Sequence, residues 1–225
     1  MLLSVIGALI PLGVGVAVSP VAVVAAILLL HAPRGRVAGA VYVAGWILGL
    51  AVAVGLVTFV EGALGIGTTD GRGRVADLVL LAVGLVLLAL AWRKWQGRPA
   101  PGEDEPTPGW MRAFDSVTSV RALGLGLLLS GLKPKNLALS FAAATVIAEA
   151  TLSAPESVAA ALVYVGLGSA TVAAPLVATL VLGDGAVPVL GRWRDRLVAN
   201  NATIMSVLLL VFGAILVGKG VSGLG

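Results

Sequence analysis

The strongest constraint on this chain is its succession of apolar stretches, each long enough to cross a bilayer and separated by short polar segments. About 20 apolar residues span the hydrocarbon core. That ruler places six spans at roughly 3–30, 37–60, 75–94, 121–149, 156–182 and 197–218. Hydrophobic residues make up 59% of the 225 positions and charged residues 12%, and mean hydropathy is +1.05. A soluble domain of this length has too little interior to hide that share. The expected fold class is therefore all-α, a polytopic membrane protein. Its 30 glycines fit helices that approach closely in lipid.

Loop charges set an expected orientation. Arg34 and Arg36 lie in the first loop, Arg93, Lys94, Arg98, Arg112 and Arg121 in or beside the third, and Arg192, Arg194 and Arg196 in the fifth. The opposite side holds only Arg72, Arg74 and Lys219. An excess of Lys and Arg marks the cytoplasmic face, so both termini are expected outside a plasma membrane. Trp92, Trp95 and Trp193 sit beside the basic clusters, where interfacial anchors belong. The first apolar run opens Met1-Leu2-Leu3-Ser4 with no basic residue and stays apolar past residue 25, which reads as a retained span rather than a cleavable signal.

Between 96 and 120 the chain turns polar, with Pro99, Pro101, Pro106 and Pro108 around Glu103, Asp104 and Glu105. That composition reads as a cytoplasmic linker, a tether between halves more than a regulatory element. The expected organisation is a three-helix half over 1–95, the linker, and a second three-helix half over 121–225. An odd number of spans per half requires the second half to be inverted.

One stretch breaks the apolar pattern. Lys133-Pro134-Lys135-Asn136 interrupts an otherwise uncharged run from about Ala122 to Ala148. A charge at the centre of a membrane helix costs about 2.5–3.5 kcal/mol on insertion scales, so such residues are usually functional. Pro134 lacks an N–H for the Ser130 carbonyl and its ring crowds that turn, so a break is expected there. Ser19-Pro20 is a matching interruption in the first span. Paired broken helices are the best sequence pointer to a transporter site. The candidate substrate-binding residues are therefore Lys133, Pro134, Lys135, Asn136, Ser19 and Pro20.

Fresh N–H groups after Pro134 suit an anion, the two lysines strengthen that field, and Asn136 can both donate and accept. The acidic residues Glu61, Asp77, Glu149, Glu156 and Asp184 all sit at or near span ends. Two lysines without an internal counter-ion imply water access, a neutral lysine, or an anionic ligand such as a carboxylate, sulfate or phosphate. The alternative is that the fourth span starts at Pro134, in which case the lysines snorkel to headgroups and 122–132 forms a short re-entrant piece. Pro175 and Gly45-xxx-Gly49 read as kink and packing features, and Asn201-Ala-Thr203 at an inner span end is discounted as a glycosylation acceptor. His31 reads as a solvated helix-end residue with no second ligand spaced to join it. No catalytic constellation, metal cluster or phosphate loop is present, so neither enzyme chemistry nor a cofactor is expected. The modest charge of +4 lies in loops rather than in a basic stripe, which argues against nucleic acid as a partner.

Six spans, an early proline step in the first helix and a Pro-Lys step in the fourth resemble the LysE superfamily of exporters. Pro134-Lys135-Asn136-Leu137-Ala138-Leu139, followed by a small-residue helix, is most similar to its GAP or Sap branch, the actinobacterial lipid-addressing proteins. Lys133 stands where the superfamily usually has the Asn of Asn-Pro-Lys. Ser19-Pro20 stands where amino-acid exporters tend to carry Pro-Gly-Pro, a departure that favours the lipid-addressing branch. The resemblance implies movement of a glycolipid, such as a sulfolipid or peptidoglycolipid, toward the cell surface. Implied partners are membrane lipids, the anionic or glycolipid substrate, and a larger lipid-export machinery. Small-residue faces are also compatible with a homo-oligomer. Efflux of amino acids or small metabolites, and a non-transporting scaffold for lipid-export machinery, are the competing expectations.

Overall fold

The computed structural model describes residues 1–32, 34–64, 70–98, 118–150 and 152–224, and every regular element among them is helical. The elements are α1 (Leu2–Ala17), α2 (Pro20–Leu30), α3 (Gly35–Leu64), α4 (Asp70–Gln96), α5 (Ser119–Gly131), α6 (Pro134–Glu149), α7 (Ala154–Leu182), α8 (Ala186–Ala199) and α9 (Asn201–Leu224). A 3₁₀ turn, Gly183–Gly185, joins α7 to α8. Most of the expected linker, residues 99–117 with Arg112, lies outside the described residues, as do the side chains of Glu61 and Arg72.

Four stretches among the described residues are long and apolar enough to cross a membrane: Gly35–Phe59, Asp77–Gln96, Ala154–Ala199 and Asn201–Leu224. α1 and α2 make a fifth if counted together, although they meet at 57°. The protein is thus a multi-pass helical membrane protein with four to five candidate spans. The expected first span, 3–30, is divided into α1 and α2 at the Ser19-Pro20 step, and the expected fourth span, 121–149, into α5 and α6. Proline opens α2 and α6 at their first position, where its missing N–H is not needed.

One element departs from the sequence expectation. The fifth loop, expected between the spans ending at 182 and starting at 197, is largely helical: Ala186–Ala199 form α8, which buries Ala186 and Leu190 while its arginines spread over the remaining surface. Those buried positions are four residues apart, the spacing of one helix face. The first loop and the α7–α8 turn come together, since His31, Arg34 and Arg36 line the same hollow as Asp184 and Val187.

Packing follows small residues. α3 lies chiefly against α5, α1 chiefly against α7, and α4 pairs with α9. Gly45 and Gly49 face the α5 backbone, and Gly126 faces α3, where a Cβ would stand 2.7 Å from the Trp46 nitrogen. The Gly45-xxx-Gly49 pair is therefore a helix-packing seam, as its spacing predicts. Around it, Tyr42, Trp46, Leu50, Leu9, Ile27 and Leu139 are fully enclosed. Trp46 Nε1 donates to the Gly168 carbonyl of α7 at 3.2 Å, and Tyr42 donates to the Ala22 carbonyl of α2 at 3.0 Å. In surroundings this apolar an unpaired N–H or O–H is costly, so each aromatic ties α3 to a neighbour.

Candidate functional site

The two breaks meet. α1 ends at Ala17, and Ser19 turns its N–H back to the Ala17 carbonyl at 2.8 Å instead of continuing the helical ladder. Pro20 has no N–H to offer the Val16 carbonyl. The last turn of α1 therefore carries carbonyls with no helical partner, at the negative end of its dipole. Lys135, from the first turn of α6, places its ammonium 2.7 Å from the Gly15 carbonyl oxygen and 2.8 Å from that of Val18. Thr171 of α7 donates to the Ala17 carbonyl. One lysine and one threonine from the second half of the chain thus close the broken end of α1.

The second break is closed from its far side. Pro134 leaves the Ser130 carbonyl without an N–H, as its position in the sequence predicts. Asn136 reaches back and donates through Nδ2 to Ser130 at 3.0 Å and to Leu129 at 3.1 Å. Its Oδ1 is buried and has no partner among the described residues. An amide with one end committed and the other idle keeps an acceptor free for a hydroxyl or amide donor.

Lys133 and Lys135 therefore differ in kind. Lys135 is 3% exposed and fully engaged by backbone oxygen. It does not snorkel to a surface. Its ammonium occupies the sort of place, between the carbonyl ends of a broken helix, where transporters hold coupling cations. Lys133 is half-buried at the N-cap of α6, and its ammonium has no hydrogen-bond or ion-pair partner among the described residues. The Lys133 side chain makes no capping hydrogen bond to the first turn of α6. Lys133 and Asn136 thus both stand in the first turn of one helix, Lys133 half-buried and Asn136 fully buried, with Pro134 exposed between them.

Ser19 is buried, and its side chain makes no capping hydrogen bond to α2. Ser19 and Pro20 line an apolar groove of about 400 Å³ with Thr171, Trp193 and Arg196. Sequence reasoning missed Thr171 and Tyr164 because their partners are distant in the chain. The Tyr164 hydroxyl lies 3.0 Å from Ser140 Oγ and ties α7 to α6 below the break. His31 is exposed and closes α2, its Nδ1 2.7 Å from the Ile27 carbonyl oxygen.

A model of the family described as Sap, sulfolipid-1-addressing protein, matches residues 9–222. The chain belongs to this family. No curated protein and no solved structure gives a match. The match runs from within α1 to the last turn of α9, so both breaks lie inside the Sap region.

Proposed function

We propose that this Sap-family chain is an exporter that moves an anionic or glycosylated lipid toward the cell surface. Its six spans would be α1–α2, α3, α4, α5–α6, α7 and α9, arranged as two inverted halves in the plasma membrane with both termini outside. Support for the inversion comes from the pairing pattern. Exchanging α1 with α5 and α3 with α7 turns the α3–α5 contact into α7–α1 and maps the α3–α7 contact onto itself. α4 and α9 would exchange places across the same axis.

The single observation that carries the function is the contrast between the two lysines. Lys135 is committed to the carbonyl end of α1, which leaves Lys133, at the N-cap of α6, as the lysine of the pair whose ammonium has no partner among the described residues. A sulfate or phosphate on Lys133 and the α6 N–H groups would supply the missing counter-charge. The Asn136 oxygen would accept from a sugar hydroxyl. In this reading Pro134 and Ser19-Pro20 are what keep the two helices broken, and so make the groups available.

The test compares surface-extractable and cell-associated lipids in a strain lacking the protein. That strain is complemented with wild type, Lys133→Ala, or a deletion within 99–117. An exporter predicts that one lipid class is lost from the surface and accumulates inside, that Lys133→Ala fails to restore it, and that the deletion variant restores most of it. A scaffold predicts the reverse for the two variants. Unchanged lipids with altered amino-acid release would transfer the chain to metabolite efflux.

A further inference from the structure

We infer that the acidic run Glu103-Asp104-Glu105 docks on the hollow between the start of α3 and the start of α8, with Arg34 and Arg36 as its ion-pair partners. The hollow holds about 380 Å³ and is built by both halves of the chain, Leu30, Arg34, Arg36 and Val37 from the first and Asp184 and Leu190 from the second. Two arginines are thus set against one aspartate, with His31 beside them, over an apolar floor. Arg34 and Arg36 are exposed, and neither forms an ion pair with the described residues. Two unpaired arginines on a concave surface make a seat for carboxylates, which a guanidinium binds bidentately.

Charge and reach together name the occupant. Glu103-Asp104-Glu105 is the only run of three acidic residues in the chain. It belongs to residues 99–117, and both flanks of that stretch emerge at the end of the bundle that carries the hollow. Gly45 faces Leu123 and Gly49 faces Leu127 and Ser130, so α3 and α5 run the same way and Ser119 stands by the first turns of α3. α4 runs against α9, with Gly220 facing Asp77 and Gly213 facing Leu88, so Trp95 lies with Ser206 near the start of α9. From there the 14 residues of α8, about 21 Å of helix, lead back to the hollow. The seven residues from Arg98 to Glu105 extend up to about 25 Å, and the thirteen from Glu105 to Thr118 beyond about 40 Å. Two cations nearer the tether are already engaged: Arg98 lies 3.5 Å from the centre of the Trp95 ring, and Arg194 pairs with Asp195 at 2.9 Å. Pro101 and Pro106, on either side of the acidic run, supply apolar surface for the floor. An acidic segment of another protein would meet the same charges, but the tether holds the chain's own segment at an effective concentration on the order of millimolar.

The chain has no cysteine, so introduced pairs report proximity without background. In the full-length protein Gly102→Cys, next to the acidic run, is combined with Val37→Cys in the hollow or with Ala199→Cys at the far end of α8; both partner positions are exposed. Disulfide formation in detergent under mild oxidation is followed by gel shift and normalised to the maleimide reactivity of each thiol. The Val37 pair should form several-fold faster than the Ala199 pair. Arg34→Gln with Arg36→Gln, or Glu103→Gln with Asp104→Asn and Glu105→Gln, should slow it roughly fivefold, the hold of two exposed ion pairs. Salt at 1 M, where the Debye length is about 3 Å, should do the same. Equal rates for the two pairs, or an advantage that survives neutralisation of the acidic run or of both arginines, overturns the proposal. A faster Ala199 pair would seat the run on the α8 arginines and overturn it as well. None of these outcomes bears on lipid export, which is expected to persist when this stretch is deleted.

Discussion

The ammonium of Lys135 lies 2.7 Å from the carbonyl oxygen of Gly15, a bond between positions 120 residues apart that joins the two broken helices of the chain. With its second bond to Val18 it makes Lys135 the fastener between α6 and the open end of α1. In water such a contact would be weak, but in an apolar interior it leaves two carbonyls without a partner when removed. Lys135→Met should therefore destabilise the protein by about 2–3 kcal/mol, with Lys135→Arg recovering part of it. Thermal unfolding in detergent, followed by the loss of the monodisperse chromatographic peak, measures this. Lys133→Ala, which breaks no bond, should unfold like wild type.

Asn136 and Pro134 form a coupled pair through the Ser130 carbonyl. Asn136→Ala should cost about 1–3 kcal/mol because it strips two carbonyls of their donor. Pro134→Ala restores an N–H at the position that would serve Ser130 in a continuous helix. The double variant should consequently be more stable than Asn136→Ala alone. A double-mutant cycle gives the coupling, and additive effects would show that the two residues close the break independently.

The α3–α5 seam should tolerate no side chain. A Cβ at Gly126 would press on backbone atoms of α3, which cannot swing away as a flexible side chain could. Gly126→Val should lose at least about 1–3 kcal/mol, the usual cost of overpacking, and lower the yield of folded protein sharply. Gly124, whose Cβ would meet open space, provides the control. Gly124→Ala should match wild type in the same extraction and chromatography assay.

Trp46 tests the tie between α3 and α7. Trp46→Phe removes the bond from Nε1 to the Gly168 carbonyl and leaves a gap where the indole is fully enclosed. The expected loss is about 1–3 kcal/mol, the sum of a hydrogen bond and a small cavity. Detergent thermal unfolding reads it directly.

What was legible in the sequence was local. Pro20 and Pro134 announce both breaks because a missing N–H acts on its own helix, and the carbonyl freed by Pro134 follows from counting back four residues. Gly45-xxx-Gly49 is legible for the same reason, since spacing within one helix defines its face. The division of labour between the lysines is not local. Lys133 and Lys135 are nearly equivalent on paper, and only the arrival of α1 decides that Lys135 is spent on Gly15 and Val18. The segment between the spans ending at 182 and starting at 197 reads as a loop because three arginines outweigh its apolar positions in a hydropathy reading. The four-residue spacing of Ala186 and Leu190, with Leu197 one further turn pair on, was the signal for α8.

The most direct test of lipid movement through the break uses vesicles carrying a headgroup-labelled anionic lipid whose inner and outer pools are told apart by a membrane-impermeant quencher. Wild-type protein should expose the inner pool faster than protein-free vesicles do. It should act on the anionic lipid in preference to a zwitterionic one, and Lys133→Ala should lose that preference while remaining folded. Transfer no faster than in empty vesicles, or a Lys133→Ala protein with undiminished anionic preference, would contradict the account.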